Sequence, residues 1–403
     1  MTTPKNIATF TKLSLFISCA CLPIAVNAAS PNSPWQKESQ LALEARQFGE
    51  PNGDEQFNND VSLSGEMKIS REWNDGYDEF VAIPSFRLNN RDSDQNRFDF
   101  KSLSWNHQGD NWSIRTGVRT VTWQVTESLH LVDIVNQIDA SADVDGEDKL
   151  GEAMINAVRL TDWGNMEILV MPGFRERVLP GENARLRGPV LFDTKGADYE
   201  SGAAEWRTDV AAKITWIPDD WEIALSHFSG TSREPVFNFV NGKLRPEYRI
   251  VDQTGLELQY AAGNWLWKGE AISNAGFEEQ RYAAAVAGFE YTWSGLGETG
   301  YDIGFLGEYL WDERDYSQTA NDVFLGARLS LNDIPGTSLL IGAIADLHTE
   351  EYLGIAEFSR RIGSGMKLDV ELRVFGRPGS PAEGDFGILH KDDYINFILT
   401  KYY

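Results

Sequence analysis

The chain has 403 residues, 36 of them Lys or Arg against 61 Asp or Glu, for a net charge of −25. That acid excess argues against nucleic acid as a partner, because phosphate binding needs a positive surface. No apolar run of about 18 residues follows the N-terminal segment, which rules out a bundle of membrane helices.

Residues 1–28 have the layout of a secretory leader. Lys5 and Lys12 give a basic start, Leu13 to Val26 an apolar stretch, and Val26-Asn27-Ala28 a small-residue cleavage site. Cys19 and Cys21 both lie inside it, and Phe16 and Ser18 stand where a lipoprotein signal would have Leu. Once it is removed, 34 basic and 61 acidic residues remain, a charge of −27, with no cysteine. An exported chain without disulfides takes its stability from hydrogen bonding and packing.

From there almost every segment alternates with period 2. The first expected strand is Gln40–Phe48, with residues 29–56 read as either a periplasmic arm plus that strand or barrel throughout. Asn111–Gln124 puts Ile114, Val118 and Thr120 on one side, and Arg115, Gly117 and Arg119 on the other. Gly255–Ala261 sends Leu256, Leu258 and Tyr260 one way and Glu257 and Gln259 the other. Tyr301–Trp311 sets Ile303, Phe305 and Tyr309 against Asp302, Gly304 and Glu308. Val323, Leu325, Ala327 and Leu329 alternate with Gly326, Arg328 and Ser330, and Leu368, Val370, Leu372 and Val374 with Asp369, Glu371 and Arg373. A single alternation is an ordinary half-buried strand. More than a dozen in series predict a transmembrane antiparallel β-barrel, because strands in lipid must close into a ring to pair their edges. Trp123, Trp216, Trp221, Trp265, Trp267, Trp293 and Trp311 sit near expected strand ends, as aromatic girdles do.

Tight turns are expected at Asn74–Tyr77, His107–Asn111, Thr161–Asn165, Pro218–Trp221, Ala262–Asn264, Asn332–Thr337 and Gly363–Gly365. Longer acidic loops fall at Val125–Leu150, Glu176–Arg207, Thr231–Glu247, Asp312–Asn321 and Gly376–Asp392. The link at His348–Glu351 breaks this rhythm, being short on the long-loop side. The count through Tyr394–Tyr402 is 18 strands, with 16 as the alternative.

The last residues, Ile395, Phe397, Leu399 and the terminal Tyr403, resemble the closing strand of Gram-negative outer-membrane β-barrel proteins, with apolar residues at alternate positions before a final aromatic. Lys401 departs from that pattern. The resemblance, of porin or substrate-specific channel type, covers the chain after residue 28. It implies an outer-membrane address, with membrane lipid, lipopolysaccharide and the barrel-assembly machinery as partners, and leaves the cargo open.

Pro172–Pro189 gathers Arg175, Arg177, Arg185 and Arg187 in an acidic chain. Guanidinium groups suit carboxylate or phosphate recognition. Folded inward, they would join Arg115, Arg119 and Arg207 as a basic ladder; ion pairs with the abundant acids are the competing reading. In Val125–Leu150, Thr126 caps an expected helix carrying Leu129, Val132 and Val135, which folds either into the lumen as a constriction or over the barrel as a lid. Its acids, among them Glu127, Asp133 and Asp139, would face the basic wall and set up a transverse field. Ser141–Glu152 partly fits a calcium loop through Asp143, Asp145 and Glu152, although Ser141 replaces the first Asp. No other cofactor is expected. The histidines are scattered, and His227-Phe228-Ser229 is the only hint of catalysis, so no enzyme is expected.

These readings favour a passive channel for small polar, anionic solutes or an acidic polymer. The alternatives are a loop-plugged surface receptor or scaffold of a cell-envelope complex and, third, an uptake route for apolar compounds. Inward charges at Arg119, Arg207, Glu257, Arg328 and Asp369 speak against the third.

Overall fold

The structure, a computed structural model, describes residues 34–49, 57–297, 299–314, 320–376 and 385–403. The expected leader lies outside the described residues. In chain order the strands are β1 (Trp35–Phe48), β2 (Asn59–Trp73), β3 (Asp78–Asn89), β4 (Arg97–Gln108), β5 (Trp112–Arg119), β6 (Glu152–Thr161) and β7 (Gly164–Met171). Next come β8 (Asp198–Tyr199), β9 (Asp209–Trp216), β10 (Trp221–Thr231), β11 (Val236–Val240), β12 (Lys243–Tyr248), β13 (Ile250–Ala262) and β14 (Trp265–Ala275). The last are β15 (Tyr282–Leu296), β16 (Tyr301–Asp312), β17 (Asn321–Ser330), β18 (Ser338–Asp346), β19 (Tyr352–Ile362), β20 (Met366–Gly376) and β21 (Tyr394–Tyr402).

Eighteen of these form one antiparallel sheet closed on itself. β1 pairs with β2 from Trp35↔Arg71 to Gln47↔Asn59 and with β21 from Gln40↔Tyr402 to Phe48↔Tyr394, so no edge is left open. The first strand starts at Trp35, five residues before the expected Gln40. The remaining three strands, β8, β11 and β12, form a small sheet within the loops.

Alternation decides which way each side chain points. Leu43, Ile168, Leu225, Phe305, Leu325, Leu372 and Phe397 are exposed on the outside, while Asn156, Glu257, Glu308 and Arg373 are buried inside. Inward charges pair along the wall: Arg373 with Glu357 on the adjacent strand at 2.8 Å, and, reaching over one intervening strand, Arg87 with Glu44 at 2.5 Å and Lys213 with Glu257 at 2.7 Å.

Ten of the thirteen tryptophans ring the tight-turn end: Trp35, Trp73, Trp105, Trp112, Trp163, Trp216, Trp221, Trp265, Trp267 and Trp293. At the loop end the outward aromatics include Phe98, Tyr309, Trp311 and Tyr352. Trp123 is not in a girdle. β5 stops at Arg119, the chain turns into the lumen, and Trp123 is 2% exposed there, its indole N–H donating to Glu167 Oε2 at 3.1 Å.

Candidate functional site

The barrel's interior is organised by residues 120–151, which leave β5 and cross the lumen before β6. The wall ahead of them carries an unusual inward apolar patch of Met154, Leu169, Phe228, Val251 and Ile272, against which Val132 and Val135 are wholly buried. Burying two valines of this kind contributes roughly 1.5–3 kcal/mol each. The segment is not helical. The Thr126 hydroxyl instead shares its one proton between Leu129 O, at 2.6 Å, and a wall carboxylate, and an irregular backbone of turns and bends carries Leu129, Val132 and Val135.

Two wall carboxylates hold this irregular backbone. Glu270 on β14 accepts from the Val125 N–H at 2.8 Å, the Thr126 N–H at 3.2 Å, Thr126 Oγ1 at 2.8 Å and the Val132 N–H at 3.1 Å. Glu308 on β16 accepts from the Glu127 and Ser128 N–H groups, both at 2.8 Å, and from Ser128 Oγ at 2.5 Å. An amide in a loop has no ladder partner, and these two side chains supply one.

The same segment reaches other walls through its acids. Glu127 meets Arg328 at 2.5 Å and Lys268 at 3.8 Å. Asp139 pairs with Arg97 on β4, and Asp133 with Lys149 inside the segment. Asp143 meets Arg46 of β1 at 3.0 Å and accepts from the Tyr394 hydroxyl at 2.7 Å. The segment therefore spans from β14–β16 to β1, β4 and β21. The expected transverse field is replaced by direct ion pairs, since each of these acids touches its cation.

On the tight-turn side of this crossing, a hollow of about 400 Å³ is lined by Lys68, Arg115 and Arg119, together with Glu72, Glu79 and His107. Arg119 donates to Asn156 Oδ1 at 3.0 Å, and Glu79 accepts from Asn106 at 2.9 Å. Among the described residues neither Lys68 nor Arg115 has a carboxylate within ion-pair distance. Gly117, between the two arginines, has a φ of +124°, and a Cβ there would sit 2.2 Å from Leu103 O. The close approach of β4 at this point needs glycine.

No protein-family model matches the sequence, and a search of curated proteins gives no match. Solved structures do match. OccK2 (OpdF) of Pseudomonas aeruginosa, determined in complex with glucuronate, aligns over 91% of this chain and 97% of its own, with a TM-score of 0.56 and 11% identity. A BenF-like porin from Pseudomonas fluorescens Pf-5 aligns over 92% and 98%, with a TM-score of 0.54 and 10% identity. The chain has the outer-membrane porin fold.

Within the porin lumen the arginines expected to act together are dispersed. Arg115 and Arg119 face the hollow. Arg175 pairs with Asp99 at 2.7 Å and donates to Gly151 O at 2.7 Å. Arg177 donates to Gln137 Oε1 at 3.2 Å and to Arg233 O at 3.0 Å. Arg185, its side chain 1% exposed, is fixed by Asp392 at 2.6 Å, Phe57 O and Lys391 O at 2.9 Å, and the Phe48 ring. Arg187 binds carbonyls of its own loop, Glu182 O and Gly188 O. Arg207 lies ahead of β9, not mid-strand, and pairs with Asp209 at 2.7 Å. A loop of bends and turns throws neighbouring side chains in different directions, so four arginines close in sequence end on four different partners.

The acids of the calcium-like stretch are engaged by different partners. Asp143 is taken by Arg46, Asp145 lies 3.8 Å from Arg373, and Glu152 is buried on β6. Among the described residues no three acids, histidines or cysteines gather as metal ligands. His227 and Ser229 both point outward on β10, where His227 Nδ1 lies 3.0 Å from Thr254 Oγ1.

The sequence reading missed Glu270, Glu308 and Arg233. Arg233 is 4% exposed, pairs with Asp209 at 2.7 Å, and stacks on Phe174 and Phe228. The available signal for the two glutamates was their inward parity, with no cation placed opposite them on the neighbouring strands.

Proposed function

We propose that this protein is an outer-membrane channel for small anionic solutes, exported by way of residues 1–28 and seated in the bilayer by its tryptophan girdle. The observation that carries this reading is the group Lys68, Arg115 and Arg119 around one lumen hollow in a chain of net charge −25. Cations without a counter-carboxylate draw anions into a narrow aqueous path. A sugar acid is the natural first probe, since OccK2 was determined with glucuronate.

The test is the reversal potential of the purified barrel in a planar bilayer under a salt gradient. Anion selectivity is expected, together with a drop in current on adding glucuronate. Arg115→Gln with Arg119→Gln would move the reversal potential towards zero. Cation selectivity in the unaltered protein would overturn the reading. The crossing of the lumen by residues 120–151 favours a second one, a loop-plugged receptor or scaffold. A protein that inserts but carries no current supports that second reading.

A further inference from the structure

The outer wall distributes its charge unevenly. Register fixes which residues of β19, β20, β21, β1 and β2 face lipid: Arg360 lies opposite Leu368, Leu368 opposite Leu399, Leu399 opposite Leu43, and Leu43 opposite Leu63. Along this outward set the five strands present no Asp or Glu, in a chain that has 61 of them. They present four cations, Lys37, Arg71, Arg360 and Lys401, all exposed and each within two residues of its strand's tight-turn end. Over much of the remaining rim tryptophan holds that level, and none follows Trp311 in the sequence.

Among the described residues Lys37, Arg71 and Lys401 have no carboxylate within ion-pair distance. The Arg71 guanidinium lies 5.4 Å from the centre of the Trp35 ring and Lys401 Nζ 5.7 Å from that of Tyr403, contacts that leave both charges in place. Arg360 has Asp333 at 3.8 Å. The acids of this rim stand off the outward face. Glu38 is opposite Lys68, which lines the lumen hollow with Glu72. Asp75 and Asp333 lie in turns beyond the strand ends, and the Tyr403 carboxylate accepts from the Ser39 N–H at 3.4 Å.

Trp35 is opposite Arg71 and Lys37 opposite Ile69, so Lys37 and Arg71 are diagonal neighbours about 7–8 Å apart. Two such long side chains can close on one phosphate. Lys401 and Arg360 stand two strands apart with a two-residue offset, roughly 12 Å at the backbone. Deeper in the wall the outward residues are apolar, Ile69, Leu41, Leu399 and Leu368 among them. The cationic stems therefore lie along acyl chains while their heads reach headgroup level.

We propose that this arc binds the headgroups of anionic phospholipids in the leaflet at the tight-turn end, one phosphodiester held by Lys37 and Arg71 and another by Lys401 and Arg360. Basic clusters at a membrane surface attract anionic lipid. Charge favours this occupant over a second copy docked arc to arc, which would set cation against cation. The site is on the outer wall and needs only a barrel seated in a bilayer, so it stands or falls apart from the anion-channel reading.

The test is native mass spectrometry of the full-length barrel in detergent with phosphatidylglycerol and phosphatidylcholine of the same acyl chains. Phosphatidylglycerol should bind saturably and more tightly, because both lipids carry the phosphate but only it is net negative. Each cation at headgroup level contributes roughly fivefold, so Lys37→Gln with Arg71→Gln should weaken phosphatidylglycerol binding about 25-fold. Arg159→Gln removes an outward cation of the same rim on β6, outside the arc, and should leave binding unchanged. Heat-modifiable gel mobility checks that each variant is folded. Should the double variant not fold, a phosphatidylglycerol with a photoreactive headgroup decides the matter in the unaltered protein, labelling the ends of β21, β1 and β2 and not the tryptophan rim of β13–β15. Equal affinity for the two lipids, full phosphatidylglycerol binding in the double variant, an equal loss in Arg159→Gln, label on β13–β15, or cross-links that place a second copy of the chain over the arc would each overturn the proposal.

Discussion

Changing Glu270 to Gln tests directly what holds the lumen-crossing segment in place. The carboxylate accepts four hydrogen bonds, three at Oε1 and one at Oε2, from Val125, Thr126 and Val132. Hydrogen bonds to a charged group contribute about 1.5–3 kcal/mol each, and neutral ones about 0.5–1.5. Gln keeps one oxygen and so retains the three bonds at Oε1 in weaker, neutral form. Its NH2 then faces the Val132 N–H, donor against donor, and a buried amide left unpaired costs about 1–3 kcal/mol. Together these changes remove on the order of 3–5 kcal/mol of docking, which raises the undocked population by roughly 10²–10⁴-fold. Hydrogen exchange followed by mass spectrometry on residues 125–132 reads this directly, with protection falling by that factor while the strands stay protected. Noisier, larger single-channel currents should accompany it. Unchanged exchange at these amides in both Glu270→Gln and Glu308→Gln would refute the idea that the two carboxylates hold the segment.

Arg185→Leu leaves the Asp392 carboxylate buried without its cation and should cost about 3–5 kcal/mol; it is measured as a lower temperature of heat-modifiable unfolding, and a wild-type value would show that the pair is not structural. His130 lies 2.9 Å from Glu147. Burial works to lower the imidazole pKa, but the hydrogen bond and charge of Glu147 outweigh it and hold the value above the ordinary 6.5. The contact therefore adds stability that is fully present below pH 6.5 and fades as pH rises through the raised value. An NMR titration of His130 should give a midpoint above 6.5 that falls in Glu147→Gln, and a midpoint at or below 6.5 in the unaltered protein would contradict this.

The barrel was legible in the sequence because each strand has one lipid face and one lumen face. That contrast is written at every second residue, as in Val323–Ser330 or Leu368–Val374. The strand count and the rhythm of turns and loops followed from it. The interior contacts were not legible for a different reason. Glu270 and Val125 are 145 residues apart, and which wall a loop meets depends on ring closure, which no local pattern reports. Leu129, Val132 and Val135 do have helical spacing. Here the backbone amides found carboxylate partners on the wall, so an irregular path satisfied them and the helix was not needed. Trp123 misled because alternation continues past Arg119 even though pairing stops there. The basic ladder was half visible: Arg115 and Arg119 share a strand face, whereas the loop arginines were drawn to acids and carbonyls lying nearest in space.

The uneven distribution of tryptophan bears on how the molecule rides in its bilayer. Indole rings prefer the headgroup level and resist displacement from it. With ten of thirteen at one rim, that rim works as a waterline for the whole cylinder. Where the surrounding lipid thickens or thins, the opposite rim takes up the difference. The height at which the loops stand above the surface then follows the bilayer's thickness, while the short turns keep a constant draught beneath it.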